Sequence, residues 1–259
     1  MKRNKQYWIR KTHRYLGLFI GIQFLGWTVS GLFFSWNDLD SVHGDHFKKP
    51  VPSLTLDSGL VSPDQAWQKV DTENKVDSLR SIQLISILGK PTYQISYYTS
   101  MHDHSNHEDH AMVQFALVNA QTGKSRARLN EEDAIAIARQ RIVNPATVSQ
   151  VQLLEEVGPH HEIRGRHLPM WAVTFSDPSC TVYVSPDQGT YQTIRHDQWR
   201  IFDFLWMFHT MDYAGRDDFN NWLLKIISVF GLLTICSGFT LYFMSSRSTK
   251  NLINKLRTT

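Results

Sequence analysis

Apolar side chains fall into two unbroken runs, separated by a long stretch in which apolar positions alternate or recur every three to four residues. Residues 16–34 carry no charged side chain, and residues 223–244 carry one, Lys225, near the start. Each run approaches the roughly 20 apolar residues that cross a hydrocarbon core about 30 Å thick, and Lys225 stands where its stem can return the charge to the headgroups. The pattern predicts membrane helices over residues 16–36 and 222–244. The first run exceeds the roughly 7–15-residue apolar region of a signal peptide, and Ser35-Trp36-Asn37 offers no small-x-small cleavage site, so it reads as a retained anchor.

Between the runs, after a linker over 37–59, the chain repeats itself. Residues 62–70 and 130–138 each open on a capping residue, Ser62 or Asn130, pass through an acidic first turn and continue with apolar residues at helical spacing, which predicts two helices. Strand patterns follow at 81–88 and 92–99 in the first unit, and at 148–155 and 170–175 in the second. A closing strand with a turn ends each, over 115–123 and 181–189, where Gly123 and Gly189 suit a turn needing positive φ. The expected architecture is membrane-anchored α+β: two small tandem units, 60–127 and 128–196, flanked by the two spans.

An amphipathic interfacial helix is expected over 197–215. Phe202, Leu205, Trp206 and His209 fall at i, i+3, i+4 and i+7, so the histidine shares the apolar face.

Charge sets the orientation. Lys2, Arg3, Lys5, Arg10, Lys11 and Arg14 precede the first run, and Arg247, Lys250, Lys255 and Arg257 follow the second. Positive flanks stay cytoplasmic, which places the basic N-terminus (1–15) and tail (245–259) inside and residues 37–221 outside. All 24 Asp and Glu lie between Asp38 and Asp218, so the formal charge of +3 conceals an acidic outer region. The basic ends suit anionic lipid rather than nucleic acid. Cys236 falls in the second run and Cys180 in the outer region, too far apart to pair.

The helix, paired strands and closing strand-turn with glycine resemble the PepSY domain. The flanking spans, the first opening on a basic segment with His13-Arg14-Tyr15-Leu16-Gly17, resemble the PepSY-associated transmembrane proteins, and the resemblance extends from His13 to Tyr242. It implies a bacterial inner-membrane protein with a periplasmic outer region, and haem ligands at His13 and His209. Neutral imidazole is a common axial ligand of haem iron, and an aromatic-lined slot between helices suits a porphyrin. Gly17, Gly21, Gly26 and Gly31 thin the first span for close approach of a ring or helix.

His13 at the inner edge and His209 at the outer edge are separated by about 30 Å of hydrocarbon, so they cannot share one iron. Two b-type haems are expected, each completed by a homodimer or partner membrane subunit, with His43 or His46 as further candidates for the outer site. The function implied is electron transfer to a periplasmic acceptor from an external donor, as a subunit of a membrane reductase acting on ferric siderophore or a related iron source. The alternative is a tethered, non-redox binding protein that modulates a peptidase or takes up metal.

A separate cluster, His102, His104, His107 and His110 with Asp103, Glu108 and Asp109, is an insertion in the first unit. It could take a divalent metal, though a solvated acidic loop has the same composition. His160, His161 and His167 read as loop residues. No hydrolase motif, phosphate loop or dinucleotide fingerprint occurs.

Overall fold

The structure is a computed structural model that describes residues 2–51, 54, 59–101, 110–144 and 147–246. It divides into two compact units, Met1–Asp38 with Arg200–Thr259, and Leu39–Trp199.

The first unit is built on α1 (Lys2–Trp36), most of α5 (Asp197–Thr210) and α6 (Trp222–Ser245). No proline or glycine interrupts residues 2–16, so α1 begins well before the apolar run and carries the basic segment as helix. Two stretches, Tyr7–Trp36 and Trp222–Ser245, are long and apolar enough to cross a membrane. One face of α1 packs inward: Ile20, Phe24 and Trp27 join Met211, Leu223, Leu224 and Ile227 in one cluster. The rest of the surface is apolar and exposed, with Leu18, Ile22 and Leu25 on α1 and Leu232 and Phe239 on α6.

Of the four α1 glycines, Gly26 is the one that another helix of this chain approaches closely among the described residues. A Cβ on Gly26 would stand 2.0 Å from Cε1 of Phe208, whereas Gly17, Gly21 and Gly31 meet nothing within 4 Å. Gly26 therefore sets how closely α5 lies on α1.

The connector from α5 to α6 is stitched through side chains. Asp212 accepts from the backbone N–H groups of Gly215 (3.0 Å), Asp217 (2.9 Å) and Asp218 (2.8 Å), bonds that hold its carboxyl below the ordinary carboxylate range. Arg216 pairs with buried Asp203. Asn221 caps α6 by accepting from Leu224 N–H and donates to the carbonyl of Thr210.

The second unit contains short α2 (Leu39–Val42), α3 (Pro63–Glu73), α4 (Glu131–Arg141) and two antiparallel four-stranded sheets. The first has the order β1 (Ser78–Ile87), β2 (Lys90–Met101), β3 (His110–Asn119), β4 (Ser125–Arg126). The second has the order β5 (Val148–Leu154), β6 (Met170–Phe175), β7 (Cys180–Ser185), β8 (Thr190–His196). The predicted helices and first three strands of each unit are present. The closing turns at Gly123 (φ 68°) and Gly189 (φ 70°) do not end the units, because the chain folds back as a fourth strand each time.

The capping signals act as read from the sequence. Ser62 and Gln65 form a reciprocal capping box at α3, and Asn130 accepts from Asp133 N–H at α4. Tyr93, Ile95 and Tyr97 of β2 alternate onto Ala66 and Val70 of α3. The opposite face of the first sheet sends Ile87 and Leu117 into the core of the second repeat, beside Ile137, Val173, Val182 and Ile194. All of β7 is buried; Tyr183 packs with Ile163 and Met170 and donates to Glu162. Cys180 is a buried free thiol, and Cys236 an exposed one on α6.

Candidate functional site

The first unit holds its two histidines at two stations on α1. At the one nearer the N-terminal end of α1, His13 Nδ1 lies 2.7 Å from Ser237 Oγ of α6. That hydroxyl is also 2.7 Å from the Thr234 carbonyl. A carbonyl only accepts, so the serine's single proton is committed there, and its oxygen accepts from His13 Nδ1–H. The tautomer is thereby fixed, and Nε2 keeps its lone pair.

The second station repeats this logic on different elements. His209 Nδ1 of α5 lies 2.8 Å from Ser30 Oγ of α1, and the Ser30 hydroxyl lies 2.9 Å from the Gly26 carbonyl and 3.1 Å from that of Trp27. Ser30 is fully buried. Again the serine donates within its own helix and accepts from Nδ1–H, which leaves Nε2 of His209 with its lone pair. Trp27 Nε1 donates to the His209 carbonyl at 2.9 Å, and burial lowers the pKa of the imidazole, favouring the neutral ring.

The surroundings are apolar on both sides. The His209 ring lies 6.2 Å from Trp27 and 5.7 Å from Phe34, and Phe34 in turn meets Phe202 and Trp206 at 5.0 and 5.9 Å. At the His13 station, Gly238 provides the space: a Cβ there would lie 3.2 Å from Cε1 and 3.9 Å from Nε2 of His13. The same glycine lines a shallow apolar groove of about 460 Å³ with Ile235, Phe239, Tyr242 and Phe243, within the roughly 300–1,000 Å³ of small-molecule pockets.

Comparison of the chain with protein-family models, curated proteins and solved structures finds no match.

Seventeen residues separate His13 and Ser30 on one continuous helix, a rise of roughly 25 Å, so the two imidazoles serve separate sites. His43 and His46 belong to the second unit and are exposed; the His46 ring lies tilted against Phe47 and edge-on to His196, at 3.8 and 5.7 Å. His196 is buried and donates to the Val42 carbonyl, a structural role.

His102, His104 and His107 lie outside the described residues. His110 starts β3, its backbone paired with Met101, which puts the insertion between β2 and β3. Among the described residues no group of three or more His, Cys, Asp or Glu gathers as a metal centre. His161 accepts from Ile163 N–H, and His167 stands 3.4 Å from Asp187 without hydrogen-bond geometry.

Sequence reasoning found both histidines but missed Ser30, Ser237 and Gly238. The available signal was polarity inside an apolar run: each serine is a hydroxyl that a lipid-facing helix has no need of, on the face that packs inward.

Proposed function

We propose that this chain is a membrane-anchored b-type haem protein that passes electrons to an acceptor outside the cytoplasm, as a subunit of a reductase whose electron donor is another protein. The observation that carries the reading is the pair of tautomer-fixing serines. Ligating histidines typically donate their second ring N–H to a fixed acceptor, which orients the ring and raises its basicity. His13 and His209 both do so, and neither Nε2 has a hydrogen-bond partner among the described residues.

The residues fit the group in donor chemistry and in lining. Bound haem supplies one-electron redox chemistry; the chain supplies a neutral imidazole at each station, aromatic walls around His209 and the apolar groove beside His13. One chain offers one imidazole per station. A second copy in the same orientation brings His13 to the depth of its partner's His13, and His209 likewise, so that a twofold dimer completes both sites.

On this reading the basic ends lie in the cytoplasm of a bacterial cell, with the PepSY-like tandem units in the periplasm, and an iron chelate is the acceptor class the resemblance suggests. Haem content of detergent-purified protein tests the proposal. Two haems per dimer are expected, with His13→Ala and His209→Ala each removing one; haem-free wild-type protein overturns it.

A further inference from the structure

Among the described residues, part of the β3 edge in the second unit is open beside an exposed arginine, Arg128. In the first sheet, β4 pairs with β3 at Leu117↔Arg126 and Val118↔Ser125 alone, while β2 covers the other side of β3 along its length. Among the described residues, the outward backbone groups of residues 112–116 meet no strand and have no other backbone partner. An edge of this kind is a template for another extended chain.

Where β4 departs from β3, a cleft of about 210 Å³ opens. It is floored by Val70, Phe115, Ala116 and Leu117 and rimmed by Ser125, Arg126, Arg128 and Asp187, with Glu73 and Asn74 at its α3 side. The junction is rigid: a Cβ on Gly189 would lie 2.4 Å from Ile87 Cδ1, and Leu129 N–H donates to the Pro186 carbonyl. These contacts fix the turn that carries Asp187.

Asp187 is 7% exposed and forms an ion pair with Arg128, its Oδ1 2.7 Å from Nε. The ion pair lies at Nε, away from the two Nη groups, which form a planar fork, and the Arg128 side chain is 69% exposed. The acidic groups nearby are already engaged, Glu73 by Lys69 and Ser125, and Asp133 by Arg126. The unmet capacity of the cleft is thus for an anion, and a planar fork matches a carboxylate in bidentate fashion.

We propose that this edge binds the C-terminal end of an extended peptide, which adds to β3 over residues 112–116 and delivers its free carboxylate to Arg128. Charge fixes the direction. β3 runs toward the arginine cleft, so a peptide parallel to it ends there with its carboxylate, whereas an antiparallel one would present its ammonium. Five residues at about 3.3 Å each match the open edge, and the small apolar floor suits an apolar last side chain. The proposal is independent of haem.

The test is fluorescence anisotropy of full-length protein in detergent with an N-terminally fluorescein-labelled Val-Thr-Val-Thr-Val. The free acid is expected to bind at least tenfold more tightly than its C-terminal amide. Arg128→Gln, exposed and checked by an unchanged melting curve, reduces the acid to the level of the amide, and Arg128→Lys recovers only part, since a point charge lacks the fork. A peptide N-methylated at alternate residues loses binding, because β3 can no longer pair with it.

Equal binding of acid and amide, no binding of either, or an acid unaffected by Arg128→Gln overturns the proposal. So does competition by free valine or acetate as strong as by unlabelled peptide, which would mark a small-carboxylate site, or self-association through the β3 edge without any response to peptide.

Discussion

Replacing Gly26 by alanine probes the closest approach in the first unit. The added methyl carbon would lie 2.0 Å from Phe208 Cε1 and 2.7 Å from Cζ, against a favourable carbon–carbon separation of about 3.5–4.0 Å. The Phe208 ring or the whole of α5 must withdraw by roughly 1.5–2 Å, and overpacking of this size costs about 1–3 kcal/mol. Gly21→Ala is the matched control, since Gly21 meets nothing within 4 Å and both changes gain the same helix propensity, up to about 1 kcal/mol. Denaturant titration in detergent, followed by tryptophan emission, should therefore place Gly26→Ala about 1–3 kcal/mol below Gly21→Ala. Because Ser30 and Trp27 bond His209 from the same stretch of helix, the withdrawal should also loosen the His209 station and lower haem retention there. Equal stability of the two variants would refute the packing argument.

Three further outcomes follow from the same contacts. Ser30→Ala and Ser237→Ala each remove the acceptor that fixes a ligand tautomer, and haem titration should show affinity lower by roughly 10–100-fold at the affected station alone. Gly189→Ala adds a methyl 2.4 Å from Ile87 at φ 70°; left-handed backbone alone costs about 1–2 kcal/mol, and thermal melting should register a loss of at least that size. Burial pushes the Tyr191 hydroxyl up to about 12, with Arg141 and Arg195 opposing. The folded state therefore holds its proton more tightly than the unfolded chain, so its contribution is intact below about pH 10 and lost between about pH 10 and 12; Tyr191→Phe should show a shallower decline over that window.

The chain announced much of this architecture because the signals were local. Ser62 and Asn130 cap the helices they were read to cap, and the apolar runs became helices long and apolar enough to cross a membrane. The fourth strands were missed for a physical reason. Ser125–Arg126 is two residues long, and Thr190–His196 gains its buried positions only from packing on α4 and β7, which no alternation in its own residues shows. Likewise, helical spacing put His209 on an aromatic face. It could not reveal that Ser30, a distant residue on another helix, takes its Nδ1 proton. The α1 glycines show the converse: four looked equivalent as a pattern, and only the partner helix distinguishes Gly26.

The two stations also use the length of one helix. A continuous α1 holds His13 and Ser30, the residue that meets His209 of α5, roughly 25 Å apart, close to the thickness of a hydrocarbon core, so the spacing that forbids a shared iron is the spacing that would put one redox centre near each leaflet.

The central claim is most directly tested by the reduced-minus-oxidised absorption spectrum of purified wild-type protein and of the His13→Ala/His209→Ala double variant. The account predicts the Soret, α and β bands of low-spin haem with two nitrogen ligands in the wild type and their loss in the double variant. A colourless wild type, or identical spectra from the two proteins, would contradict it.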